Sequence, residues 1–239
     1  MERPFYKLVI LIIDSDDPVY IIHRNAWRCY MNSDPEILAL FIRNDPMCEE
    51  PTLDLSANTL KFKGTESLVP GILNKTLDGF NFCLRHFSFD HILRTNISSF
   101  FVFPLLKEHV LSALPRIGCY AGPPAVTPVP FASGAGFFIS PDIANILVSN
   151  RDKSPAHLPD DVAIGYFLNT LQIPIYPLQR FDFTFDSDTH NDAEKLAAAA
   201  GMHTHTFRVK NQYDRMRFDD HYMRLLLKTY YCLEIPDPE

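Results

Sequence analysis

Two adjacent carboxylates, Asp160-Asp161, stand directly ahead of an apolar run, residues 162–171. The dipole of a helix favours acids in its first turn, and a carboxylate held there can also take a proton from a hydroxyl. Upstream lies Ser133-Gly134-Ala135-Gly136, a small-residue segment that lets a ligand or another chain segment approach closely. His203-Thr204-His205 would put two imidazoles on one face of a strand, a spacing that suits a metal but is more often structural. Arg208 and Lys210 would share a strand face in the same way and could clamp phosphate oxygens. Three further polar clusters, residues 14–17, 43–45 and 94–98, each close an apolar run, where a plain loop would also be polar.

The elements that must position these groups alternate in type. Residues 8–13 form a continuous apolar run, the mark of a parallel strand covered on both faces. Residues 19–31 predict a helix, 37–42 and 59–63 two strands, 66–85 a helix, 89–95 a strand and 100–114 a helix. That order predicts a doubly wound α/β sheet, in which ligands bind beyond the carboxyl ends of the strands. A nucleotide would then lie near Ile13, Asp14, Ser15 and Arg43, with Glu66 placed to meet its base or ribose. From 118 to 130 the chain is rich in Gly and Pro and reads as an ordered loop. Residues 131–140 are strand-like, Pro141 opens a helix reaching residue 150, a second helix covers 162–171, and a strand lies around 173–176. The acidic, turn-rich stretch 182–192 comes next.

Composition narrows the class. Of 239 residues 46% are hydrophobic and 21% charged, an ordinary globular balance. The net charge of −7, with 22 basic and 29 acidic residues, excludes the basic footprint of a dedicated nucleic-acid binder. No apolar run approaches the roughly 18 residues of a membrane span, and a cytoplasmic chain is expected. Five scattered cysteines without CxxC pairing read as reduced thiols. No GxGxxG follows the first strand, which argues against a dehydrogenase.

Residues 131–140, Phe-Ala-Ser-Gly-Ala-Gly-Phe-Phe-Ile-Ser, followed by Pro159-Asp160-Asp161-Val162-Ala163-Ile164-Gly165, resemble the Fringe and β-1,3-galactosyltransferase group. That group carries a Ser-Gly-(Gly/Ala)-Gly-aromatic-x-x-Ser segment and then an acidic-Asp-Val-x-x-Gly segment. Upstream, Leu73-Asn74-Lys75-Thr76 is similar to its Leu-x-x-Lys-Thr helix, and residues 89–98 are similar to its metal-binding strand. The chain's size and its segment 205–211 look more like the stand-alone glycosyltransferases of large DNA viruses of algae and protists.

The resemblance implies a GT-A-type nucleotide-sugar-binding fold, with a mixed, mostly parallel sheet flanked by helices. It implies one domain over 1–239, with a nucleotide-sugar-binding half (1–115) and an acceptor and catalytic half (116–239). The implied activity is transfer of a sugar, with inversion, from a UDP-linked donor to a glycan or glycoprotein acceptor, in the host cytoplasm if the chain is viral. Asp161 corresponds to the family's catalytic base. Ser133, Gly134, Ala135, Gly136 and Asp160 would meet the acceptor. The family's Asp-x-Asp falls here on Asn96 and Ser98, neither of them anionic, so a Mn or Mg ion held by Asn96, Ser98 and His205 stands open. Lys75 and Arg94 would replace metal charge beside the pyrophosphate, with His205, Arg208 and Lys210 as further donor contacts. The alternatives are a non-catalytic nucleotide-sugar- or carbohydrate-binding protein of the same fold, and a metal-dependent hydrolase using Asp14, Asp16, His203 and His205.

Overall fold

The apolar run 8–13 is solvent-shielded along its whole length, as a strand covered on both faces must be. The computed structural model describes residues 3–183, 204–211 and 214–236. Its elements begin with β1 (Phe5–Ile13), α1 (Ile21–Tyr30), β2 (Ile37–Asp45), β3 (Thr52–Asp54), β4 (Thr59–Lys63), α2 (Gly71–His86) and β5 (Ser88–Asn96). They continue as β6 (Ser99–Phe101), α3 (Phe103–Leu106), β7 (Tyr120–Gly122), β8 (Pro124–Ala125), β9 (Phe131–Ala132), β10 (Phe137–Ile139), α4 (Pro141–Ser149) and α5 (Asp160–Thr170). The last are β11 (Tyr176–Pro177), β12 (Phe181–Phe183), β13 (Thr206–Val209) and α6 (Arg215–Tyr231).

The chain divides into two compact units, each assembled from separate segments. The first comprises Met1–Ser15, Asp34–Asn96 and Leu114–Leu178. It holds an eight-stranded sheet in the order β11-β7-β10-β5-β1-β2-β4-β3, flanked by helices. The central four strands, β5-β1-β2-β4, are parallel; β10 and β3 join antiparallel on either side. In this register Ile13 pairs with Ile42 on one side and with Asn96 on the other. The ends of β1, β2 and β5 therefore come to one edge, where the backbone's last residues are free to meet a ligand.

α2 runs amphipathically, with Leu73, Leu77 and Phe80 packed in the same core as Val9, Leu11 and Leu40. α4 and α5 add Ile143, Leu147, Ile164 and Leu168 to it. Each such side chain contributes roughly 1.5–3 kcal/mol on burial, so the core sets the position of the helix N-termini. α2 starts at Gly71 rather than 66, because Pro70 precedes the first turn and the Ser67 hydroxyl accepts from the Gly71 N–H.

The second unit comprises Asp16–Ser33, Ile97–Ala113 and Gln179–Glu239. It has a three-stranded sheet, β12-β13-β6, and the helices α1 and α6. Trp27 is wholly buried, stacks on Tyr30 at 5.0 Å and donates to the Ile97 carbonyl at 3.1 Å, a core role. The helix expected over 100–114 is different in fact. Ser99–Phe101 pairs with Thr206–Arg208 as a strand, and only then do the short α3 and a π-type turn, Lys107–Leu111, follow. The aromatic run Phe100-Phe101 serves a strand as well as a helix, and Pro104 suits a helix's first turn; pairing with β13 decided the matter. The expected loop 118–130 likewise contains β7 and β8, and the strand expected at 173–176 forms at Tyr176–Pro177. Asp182 lies in β12, while the rest of the acidic stretch is outside the described residues. Among the described residues no helix is long and apolar enough to cross a membrane.

Gly165 of α5 shows how closely that helix is packed. A Cβ there would lie 2.8 Å from Phe131 Cα and 3.1 Å from the Pro130 carbonyl. Both obstacles are backbone, so they cannot swing aside. Gly165→Val is expected to cost about 1–3 kcal/mol by overpacking and to lower the melting temperature by roughly 3–10 °C. Calorimetry reads this directly, and an unchanged midpoint would mean that the loop before β9 yields.

Candidate functional site at the strand ends

Two charged clusters occupy the carboxyl-end edge of the first unit's sheet. At the ends of β1 and β2, the buried Asp14 carboxylate meets Arg43 Nε at 2.5 Å and also accepts from the Ser15 N–H at 2.9 Å. Lys75 reaches the same edge from α2. Its ammonium is fully buried, donates to the Asp14 carbonyl at 3.2 Å and pairs with Glu66 at 2.7 and 2.9 Å. Glu66 also accepts from the Asn44 N–H at 2.7 Å, which ties it to the end of β2. Burial lowers the proton affinity of Lys75, and the Glu66 hydrogen bond and charge oppose that fall. Ile13, Asp14, Ser15, Arg43, Glu66 and Lys75, all expected near a donor nucleotide, are thus brought together. Their cationic charge is largely committed, since Arg43 and Lys75 each already have a carboxylate partner.

The second cluster joins β5, the turn between β9 and β10, and the start of α5. Arg94 is 1% exposed. Its Nη2 meets Asp160 at 2.7–2.8 Å, and its Nη1 donates to the Gly134 carbonyl and, at 2.9 Å, to Asn96 Oδ1. Thr76 adds a hydroxyl donor to Asp160 at 3.2 Å. Burial raises the pKa of Asp160; Arg94 opposes that rise, and the neighbouring Asp161 adds to it. Asp161 is only half-buried. Its Oδ2 accepts from the Gly134 N–H at 2.7 Å and its Oδ1 from the Val162 N–H at 2.9 Å. Gly134 is therefore gripped from both sides. A Cβ on it would stand 2.6 Å from Arg94 Nη1 and 2.9 Å from Asp161 Oδ2. Ser133 and Gly136 close the turn by a 3.0 Å backbone bond, and the Thr95 hydroxyl holds the Ala135 carbonyl at 2.8 Å.

Several expectations change on these contacts. Arg94, expected beside the pyrophosphate, is paired with Asp160 inside the fold. Asp160, expected against an acceptor, is 6% exposed and turned to Arg94. Thr76 entered the sequence reading only as part of the Leu-x-x-Lys-Thr resemblance, and Thr95 only as a residue of the strand. Their roles come from partners 84 and 40 residues away.

The metal expectation meets an ill-suited donor set. Asn96 Oδ1 already accepts from the Arg94 guanidinium, which places a positive charge where a cation would have to sit. Ser98, on the segment opening the second unit, is buried and carries no charge. Among the described residues no group of three or more His, Cys, Asp or Glu side chains could hold a metal ion. These residues do not fit a divalent cation.

The remaining candidates belong to the second unit. His205 is 8% exposed, with Nδ1 2.7 Å from the Thr206 hydroxyl. Arg208 lies on β13, and Lys210 follows its end, exposed. Asp219 secures the chain just beyond by accepting from Asn211 N–H at 2.9 Å, from its side-chain amide at 2.8 Å and from Arg215 at 3.1 Å. His203 lies outside the described residues, so the HxH pair is not seen as such.

No protein-family model matches the chain, and no curated protein matches it. Solved structures do. A glycosyltransferase involved in the glycosylation of the major capsid of PBCV-1 aligns with TM-score 0.53 and 11% identity, over 91% of this chain and 98% of that one. An active-site mutant of LgtC aligns at 0.49 and 10% identity, and the galactosyltransferase LgtC in complex with donor and acceptor sugar analogs at 0.48 and 10%; each covers 97% of this chain and 98% of its own. The PBCV-1 match shows the fold: a glycosyltransferase-type mixed α/β architecture with a central, mostly parallel sheet flanked by helices.

Burial, with His109 nearby, lowers the pKa of His205 to about 4. An unfolded histidine titrates near 6.5, so on acidification the unfolded chain takes up this proton first. The stability due to a neutral His205 is present above about pH 6.5 and is lost as pH falls toward 4, by up to about 3 kcal/mol. In His205→Gln that part of the acid destabilisation should vanish. Urea unfolding at about pH 7 and about pH 4.5 measures it; identical pH dependence in both proteins would mean that His205 protonates within the fold.

Proposed function

We propose that the chain is an inverting glycosyltransferase that takes a sugar from a UDP-linked donor and attaches it to a hydroxyl of a glycan or glycoprotein, with Asp161 as general base. The observation that carries this reading is the Asp161 carboxylate. It is partly accessible at the first turn of α5 and oriented by two backbone N–H donors, in a chain whose fold resembles that of a solved glycosyltransferase. The motif resemblance around residues 131–140 and 159–165 supports the same assignment.

In the proposed step Asp161 accepts the proton of the acceptor hydroxyl as its oxygen bonds to the anomeric carbon. The bond from that carbon to the diphosphate oxygen breaks on the opposite face, and the nucleotide diphosphate leaves with the electron pair. Asp14, Arg43, Lys75 and Glu66 form the wall against which the nucleotide would lie. No step is routed through a divalent cation, because the residues at Asn96 do not suit one.

A second reading, a binding protein without turnover, is favoured by a specific observation: neither Asn96 nor Ser98 supplies a carboxylate, and Arg43 and Lys75 are already paired. Calorimetric titration with UDP, UDP-glucose, UDP-galactose, UDP-xylose and GDP-sugars, each with manganese and with EDTA, separates the two when combined with an assay of sugar transfer. Asp161→Asn should bind the donor as tightly as the wild type and lose transfer by at least ~10²-fold. Full transfer by that variant would remove Asp161 from the mechanism. Donor binding with no wild-type transfer would leave the binding protein.

A further inference from the structure

Arg94 commits all of its described polar contacts to its own chain. A buried guanidinium with a buried carboxylate is weak evidence for stability, because an apolar pair of similar volume often does as well. What such a pair does supply is geometry, since the planar fork can hold several acceptors at fixed angles. Here it holds three: Asp160 at the first turn of α5, the Gly134 carbonyl in the β9–β10 turn, and Asn96 at the end of β5. The Phe137 ring lies 5.8 Å from the guanidinium carbon, and Nε has no hydrogen-bond partner among the described residues.

Two of those contacts lead to Asp161. Through Asp160, its chain neighbour, Arg94 anchors the first turn of α5. Through Gly134, whose carbonyl it holds, Arg94 orients the residue whose N–H grips Asp161 Oδ2. We propose that Arg94 and Asp160 are a positioning pair for Asp161: they hold the Gly134 backbone and the α5 N-terminus so that the Asp161 carboxylate keeps one rotamer facing the acceptor. The catalytic part of this inference rests on the reading of Asp161 as general base; the positional part does not. The burial of Asp160 fits it, because an ionised Asp160 left without Arg94 would sit beside Asp161 as an uncompensated like charge.

The test separates position from stability. Arg94→Met alone leaves Asp160 buried without a partner and is expected to destabilise the fold. Arg94→Met/Asp160→Leu removes both charges and should recover stability. In the double variant the Gly134 amide, followed by NMR, should exchange at least ~10-fold faster relative to global unfolding, because its acceptor is no longer held in place. The turnover number should fall by ~10–10²-fold, while KM for donor and acceptor and the donor Kd stay within about twofold. Arg94→Lys keeps the charge without the fork and should restore neither the amide protection nor kcat. Wild-type protection of Gly134 in the folded double variant would overturn the inference, as would wild-type kcat. If the wild-type chain transfers no sugar but the Gly134 amide responds as described, the glycosyltransferase reading has failed and the positional relation stands.

Discussion

The parallel pairing of β1 with β2 and β5 is the constraint on which the first unit depends. It brings Ile13, Ile42 and Asn96 level, so that three strand ends finish at one edge. A register shift of one residue in either partner would turn the alternate side chains to the wrong face. The apolar faces of α2, α4 and α5 then lock against the sheet, and the first turns of α2 and α5 arrive at the same edge as the strand ends. Every charged contact described there is a consequence of that alignment.

Alignment creates an electrostatic problem as well as a site. Arg43, Lys75 and Arg94 stand at neighbouring strand and helix ends with Asp14, Glu66 and Asp160. The interior partners Lys75, Arg94, Asp14 and Asp160 are all buried. Removing one member of the Arg94–Asp160 pair, both of whose side chains are buried, would strand the other's charge, at a cost of about 3–5 kcal/mol. Asp161 is the exception among the acids of this edge. It has backbone donors in place of a cation, and that leaves it partly open to solvent.

This difference between two adjacent aspartates explains two glycines. At Gly134 a Cβ would crowd the side-chain ends of Arg94 and Asp161, and at Gly165 it would meet the Phe131 backbone, which cannot swing aside. The glycines of the two motifs thus mark close approaches, one between charged groups and one between a helix and a strand. They hold the turn before β10 against the start of α5, the junction at which Asp161 sits.

Local pattern sufficed for much of this. The apolar runs at 8–13 and 37–42 and the strand-like segments 59–63 and 89–95 named four strands, and the motif glycines and Asp160-Asp161 marked the turn and the helix start. Periodicity reports which face of an element is buried, and it does so from neighbours a few residues apart. It could not choose between strand and helix for 99–101, where the partner is β13. Periodicity could not tell Asp160 from Asp161 either; only the motif resemblance separated them. The fold makes one of them the interior partner of an arginine 66 residues away and leaves the other facing outward on the Gly134 N–H. By itself the sequence determined the alternation of most elements and the polar clusters at the strand ends. Which charges are paired and buried was decided by tertiary structure alone, because ion pairs between distant segments exist only once the sheet's register has brought their ends together.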